Sequence, residues 1–230
     1  MSMQLATKDV ILIIAKALGE LNEKAVFVGG STIPFYLPEI YLSQARPTED
    51  IDVAMRIVGR NENWINEEKL RQKGFHHDIS EGAPICRWLY RDFKVDIMSS
   101  DISAFAFTNQ WYKEGIDSAI EVVSSPAKVK IFNLPCFIAS KIEAFHSRGQ
   151  SDYVGSSDME DIISVLEVAP EEMFEKILPQ VSDKLKSYLK KEFQNLLNTS
   201  NFTDALPGAV FNRANSLAAA EVVKNRMKNI

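Results

Sequence analysis

Near residue 132 the apolar residues of this chain change their spacing. Before that point the apolar runs are short, rich in β-branched residues and bounded by glycine or polar turns. Beyond it Ile138, Ile142 and Phe145 stand at i, i+4, i+7, and the segments that follow keep a helical spacing. A period of two belongs to a pleated sheet with one buried face and a period of 3.6 to an amphipathic helix, and neither pattern suits the other element. The expected fold class is therefore α+β, with a mixed α/β first half over 1–132 and an all-helical second half over 133–230. A chain of 230 residues that is 46% hydrophobic suffices for one large globular domain or two small ones.

Residues 7–20 place Val10, Ile14 and Leu18 on one stripe behind Thr7 and Asp9, which predicts an opening helix. Ala25 to Val28 is a short apolar run that stops at Gly29-Gly30-Ser31, so a strand enters a glycine turn and then a helix from about Ser31, with Pro34 in its first turn. Residues 50–55 begin with polar and apolar positions alternating and predict a half-buried strand. A helix over 63–73 ends at Gly74. Residues 85–90 and 93–98 predict a hairpin through Arg91-Asp92, with Lys94, Asp96 and Met98 on one face. A second hairpin joins 119–123 to 128–132 through Ser124-Ser125-Pro126. In the second half Asn133 caps a helix with Pro135 in its first turn, and Ser157 with Glu160 forms a capping box for a helix to about 166. Pro170 opens a further helix, and 182–197 and 214–227 are two more.

Charge and cysteine content narrow the function classes. With 26 Lys+Arg against 31 Asp+Glu the formal charge is −5, which argues against a surface that coats nucleic acid as a whole. Cys86 and Cys136 are too few for a disulfide framework or a four-ligand zinc site and leave room for a single bridge at most, and a reducing compartment is expected. The aliphatic run from Val10 to Ala15 is shorter than a signal-peptide core of roughly 7 residues or a membrane span of roughly 20. A cytoplasmic location without a membrane partner is the expectation.

The residues that carry chemistry lie on three predicted strands. Glycines at a strand end let backbone N–H groups approach phosphate oxygens, a following helix adds its positive dipole, and Ser31 can donate its hydroxyl. Carboxylates at i and i+2 share one face, so Asp50 and Asp52 can bind hard divalent cations. Asp96, on a further strand, would complete a two-metal clamp for phosphoryl or nucleotidyl transfer. A glycine turn alone is most often only a turn, and a lone Asp-x-Asp a solvated strand face. The order of all three is the more specific signal.

Gly29-Gly30-Ser31 followed by Arg46-x-Thr48-x-Asp50-Ile51-Asp52 resembles the DNA polymerase β-like nucleotidyltransferase superfamily, most closely the AbiEii-type abortive-infection toxins. Lys141, Ala144 and Arg148, followed by Asp158-Met159-Glu160-Asp161-Ile162, are similar to that group's second-half elements. The resemblance implies a nucleotidyltransferase-type mixed sheet with flanking helices, followed by a C-terminal helical bundle that completes the nucleotide site. It implies that Gly29, Gly30 and Ser31 meet the nucleotide's phosphates, that Asp50 and Asp52 ligate Mg2+ or Mn2+, and that Asp96 is a third ligand or general base. Lys141 would neutralise triphosphate oxygens, Asp158 would hold or orient Lys141, and Asp161 would be structural. Arg46 is either a phosphate contact or a partner of the acidic strand.

The activity so implied moves an NMP from an NTP to a hydroxyl acceptor in RNA such as tRNA, in another protein, or in a small molecule. The acidic balance favours the last two, and the toxin–antitoxin resemblance favours tRNA and adds a cognate antitoxin protein as partner. The rival reading is a catalytically incomplete nucleotide-binding or partner-binding module on the same fold. Among the weaker features, His76-His77 reads as a surface turn and His146 as solvated. Lys184, Lys186, Lys190 and Lys191, with Lys224, Arg226 and Lys228, read as solvated helix faces rather than an RNA-tracking patch. Trp64, Trp88 and Trp111 read as core or partly buried residues.

Overall fold

The computed structural model describes residues 7–56, 60–99, 109–124, 127–149 and 151–230. The chain divides into two compact units, residues 1–35 with 47–132 and residues 36–46 with 133–230. Ser125 and Pro126 of the expected turn and the side chain of Trp64 lie outside the described residues. Among the described residues no helix is long and apolar enough to cross a membrane.

The first unit is organised by its strands: β1 (Ala25–Val28), β2 (Asp50–Met55), β3 (His76–His77), β4 (Arg87–Tyr90), β5 (Phe93–Ser99), β6 (Ile120–Ser124) and β7 (Ala127–Ile131). Among the described residues they form one sheet in the order β3-β4-β5-β2-β1-β7-β6. All four residues of β1 are buried, which is why this strand reads as a continuous apolar run without alternation. It pairs antiparallel with β2 and parallel with β7. β2 in turn pairs parallel with β5, and β4 and β5 form a hairpin closed by Arg91-Asp92, where Arg91 adopts a φ of 55°. Helix α1 (Thr7–Leu18) packs on β7 and on the turn after β1, burying Ile11, Ile14 and Leu18, each worth about 1.5–3 kcal/mol when fully buried. Helices α2 (Arg60–Gln72) and α3 (Tyr112–Asp117) complete the unit. Trp88 and Trp111 are buried.

Three features of this unit differ from the sequence reading. The segment after β1 is a six-residue 3₁₀ helix, Gly30–Phe35, not the start of an α-helix. Pro34 has no N–H for the Gly30 carbonyl, and the Thr32 amide bonds Gly29 three residues back at 3.2 Å, so the tighter turn is the one formed. His76-His77 is an edge strand, not a surface turn: it pairs with Leu89 and Trp88, and the His77 ring lies 3.8 Å from that of Trp88. Helix α3 carries no amphipathic stripe long enough to read. Gly115 seats it on Phe132, whose ring leaves no room for a Cβ.

The second unit is helical: α4 (Leu134–Arg148), α5 (Ser157–Val168), α6 (Glu171–Phe174), α7 (Asp183–Leu197), α8 (Ser200–Ala209) and α9 (Ser216–Lys228). Its central helix is α4, buried without interruption from Leu134 through Ile142 and capped by Asn133, whose side chain accepts the Cys136 amide at 3.0 Å. Helix α5 packs on α4 and α9, and Tyr36, from the segment 36–46, sets its ring 4.9 Å from that of Phe137.

Four details of this half go beyond or against the sequence reading. The cap of α5 is Ser156, which accepts the Met159 amide, so Ser157 is the first helical residue and no Ser157/Glu160 box forms. Helix α8 was hidden by Pro207 and Gly208, and buried Phe202 and Leu206 hold it. His146 is exposed, as expected, and its Nε2 also lies 2.7 Å from Glu192. Arg226 does not belong to a solvated face: it donates to the Leu166 carbonyl at 2.9 Å and pairs with Glu175 at 2.9 Å.

Candidate active site

The end of β1 requires a glycine for two separate reasons. Gly29 has a φ of 71°, a region that L side chains rarely enter, and a Cβ there would overlap Oδ2 of Asp52. The glycine therefore lets the strand end pass directly over a carboxylate. Ser31 is fully buried, and its hydroxyl donates to the Val28 carbonyl at 3.2 Å; the Thr32 hydroxyl donates to Gly29 at 2.8 Å. Both hydroxyls thus close the turn on the strand it leaves. With Gly30 beginning only a six-residue 3₁₀ helix, the macrodipole expected of an α-helix is not supplied here.

Asp50 and Asp52 stand at i, i+2 on β2 and share a face, as strand geometry dictates. The parallel ladder with β5 makes Asp52 and Asp96 register partners, so the third carboxylate joins the pair across the sheet. A residue that the sequence reading missed sits on the next strand. Arg87 of β4 is the register partner of Asp96 and grips it with a fork, Nε to Oδ1 at 2.8 Å and Nη2 to Oδ2 at 2.9 Å. Its Nη2 also donates to Oδ2 of Asp50 at 2.8 Å. The side chains of Arg87 and Asp96 are 15% and 12% exposed, so this bidentate pair is largely shielded from water. The fork to Asp96 holds the guanidinium pKa well above its ordinary value despite partial burial. Beside it, burial and then the Asp96 and Asp52 carboxylates push the Cys86 thiol up.

Two observations bear on whether a cation fits. Oδ1 of Asp50 and the Thr48 hydroxyl, two residues apart at the entry of β2, are buried with no hydrogen-bond partner among the described residues. Oδ2 of Asp52 sits against the bare Cα of Gly29, in the room a Cβ would take. Hard oxygen donors in this setting suit Mg2+ or Mn2+ at Asp50 and Asp52. Asp96 does not fit in the same way, because both of its oxygens accept from Arg87. Among the described residues no three His, Cys, Asp or Glu side chains converge as a ready metal cluster.

The helical unit carries its own charge cluster. Lys141, 5% exposed, places Nζ 3.0 Å from Asp158 and 2.7 Å from Asp161. Arg148 forks onto Asp158 with two bonds of 2.8 Å, and Arg46 reaches Asp161 at 3.5 Å. Asp158 is therefore in contact with Lys141, and Arg46 pairs with an acid of α5. Burial alone would raise the Asp158 pKa, but the Arg148 hydrogen bonds and the Lys141 charge outweigh it and hold the carboxyl below its ordinary value. Among the described residues three cations thus face the two carboxylates, and the Arg148 side chain is largely exposed.

No family model matches the chain, and no curated protein matches it. Among solved structures it is similar to an antigenic nucleotidyltransferase-like protein from Paracoccidioides brasiliensis, at 18% identity and a TM-score of 0.56, over 94% of this chain and 93% of that chain. At this identity the likeness is one of fold. The chain has a nucleotidyltransferase-like fold, an α+β architecture of mixed sheet and C-terminal helices as expected; the likeness does not single out the AbiEii-type subgroup.

Proposed function

We propose that the chain transfers a nucleoside monophosphate from an NTP to a hydroxyl acceptor, with release of pyrophosphate. The observation that carries this reading is the in-register placement of Asp50, Asp52 and Asp96 on adjacent strands beside the Gly29 turn, within a nucleotidyltransferase-like fold. Asp50 and Asp52 would hold Mg2+ or Mn2+, which polarises phosphoryl oxygens and offsets the negative charge of the triphosphate. Gly29 lets the end of β1 pass directly over the Asp52 carboxylate. Gly30 and Ser31 keep the turn in shape, and Arg87 fixes the orientation of Asp96. In the helical unit Lys141, Asp158 and Arg46 are assigned to the nucleotide by the sequence resemblance alone. The acceptor is a hydroxyl of RNA such as tRNA, of a protein, or of a small molecule.

The fork of Arg87 on Asp96 is the one feature that favours a second reading, a module that binds nucleotide without transferring it. Incubation with Mg2+, each labelled NTP in turn, and total RNA, protein or small-molecule acceptors separates the two. Transfer predicts label on one acceptor class, abolished by Asp52→Asn. Saturable NTP binding with no label on any acceptor supports the module, and absence of NTP binding by folded protein overturns both.

A further inference from the structure

A two-metal clamp needs all three carboxylates, and here one of them is already matched by a cation that belongs to the chain. Arg87 holds both oxygens of Asp96 and one of Asp50 at 2.8–2.9 Å, and the hairpin pairing of β4 with β5 fixes its backbone directly opposite Asp96. We infer that Arg87 takes the place of a second metal ion, so that this site loads one divalent cation, on Asp50 and Asp52. The inference rests on the proposed function and sharpens it.

The charges support a single ion. Three carboxylates with one guanidinium carry a formal charge of two negative, which one dication neutralises. A second dication would have to sit against the guanidinium or displace it. Displacement would break three short charge-assisted hydrogen bonds, two of them between the mostly shielded Arg87 and Asp96 side chains, and would leave the guanidinium to be rehoused. Oδ1 of Asp50 has no hydrogen-bond partner among the described residues, and the Asp52 carboxylate lies against the bare Cα of Gly29. The built arrangement therefore offers one cation position and closes the other. A planar fork is suited to this, because it binds a carboxylate through two parallel bonds and cannot lose its charge in the working pH range.

The test counts Mn2+ bound by the full-length chain without nucleotide, by electron paramagnetic resonance of free Mn2+ during titration. The parent is expected to bind one Mn2+ per chain, lost in Asp52→Asn. Arg87→Met, which keeps an unbranched apolar stem, should gain a second Mn2+, and Arg87→Met with Asp96→Asn should return to one. Asp96→Asn alone changes no volume and should keep the count at one, which decides the matter even if Arg87→Met does not fold. Two ions in the parent, or a drop in count in Asp96→Asn, overturn the inference and leave the proposed function standing. A count of one in folded Arg87→Met also overturns it. No Mn2+ binding in the parent overturns the inference together with the metal assignment of the proposed function.

Discussion

Lys141→Met is the substitution that best separates a lysine kept for the nucleotide from one the fold itself needs. Were Lys141 a side chain with a free ammonium reaching for phosphate, methionine would keep its apolar stem and leave stability unchanged. The structure gives a different expectation. Lys141 is 5% exposed and lies between Asp158 and Asp161, each 2% exposed, so its loss takes one cation partner from each of two buried carboxylates. Removing one partner of a buried ion pair costs about 3–5 kcal/mol. The Arg148 fork still serves Asp158, which places the expected loss near the lower end, at about 3 kcal/mol. Asp161 keeps Arg46 at 3.5 Å. Set against a typical stability of about 5–15 kcal/mol, this is a large fraction. For a chain of this size it corresponds to a fall in Tm of roughly 6–12 °C. The assay is urea unfolding at pH 7 followed by circular dichroism at 222 nm. The three tryptophans, at 64, 88 and 111, all belong to the first unit, so their fluorescence reports that unit instead. Lys141→Met with Asp161→Leu should recover more than half of the loss, because the least-served carboxylate is then gone. A loss below about 1 kcal/mol in the single variant would refute the reasoning.

The same cluster predicts acid sensitivity. Asp158 has a folded pKa below its ordinary value of 3.8, so the stability it contributes is present above about pH 4 and is lost as pH falls through the folded value. Unfolding free energy followed by circular dichroism should be flat from pH 5 to 7 and decline below about 4, with a shallower decline in Asp158→Asn. Gly29→Ala meets both a φ of 71° and the Asp52 carboxylate, and should cost about 1–3 kcal/mol in thermal unfolding while weakening Mn2+ binding, since the carboxylate must move. Asp52→Asn keeps volume and fold and should lower the rate of label transfer by at least about 100-fold, read as kcat at saturating NTP, with Tm within about 2 °C of the parent.

What could be read from the sequence is what a single element decides by itself. Asp50 and Asp52 share a face because of strand period, Gly29 ends β1 because the apolar run stops there, and Asn133 caps α4 because its side chain reaches an amide three residues on. What could not be read depends on partners from elsewhere. The sequence offers Lys141 as a cation at helical spacing and is silent on the two carboxylates that enclose it. Arg46, set just before the acidic strand, pairs instead with Asp161 of α5, because residues 36–46 belong to the helical unit while residues 47–132 return to the sheet.

Arg87 is the instructive intermediate case. A two-residue hairpin loop admits one register: with Arg91-Asp92 as the loop, Tyr90 faces Phe93, Leu89 faces Lys94, Trp88 faces Val95 and Arg87 faces Asp96. The pairing of a guanidinium with the third carboxylate therefore followed from the predicted hairpin alone, since its first strand, 85–90, already contained residue 87. That Asp96 also stands beside Asp52 did not follow, because β2 and β5 run parallel and are joined through intervening elements whose length sets no register. The neutralisation of Asp96 is a local property of one hairpin, whereas its membership of the acidic site is a property of the whole sheet. A carboxylate admitted to the site by the sheet and closed by its own hairpin is the arrangement from which a one-cation site follows.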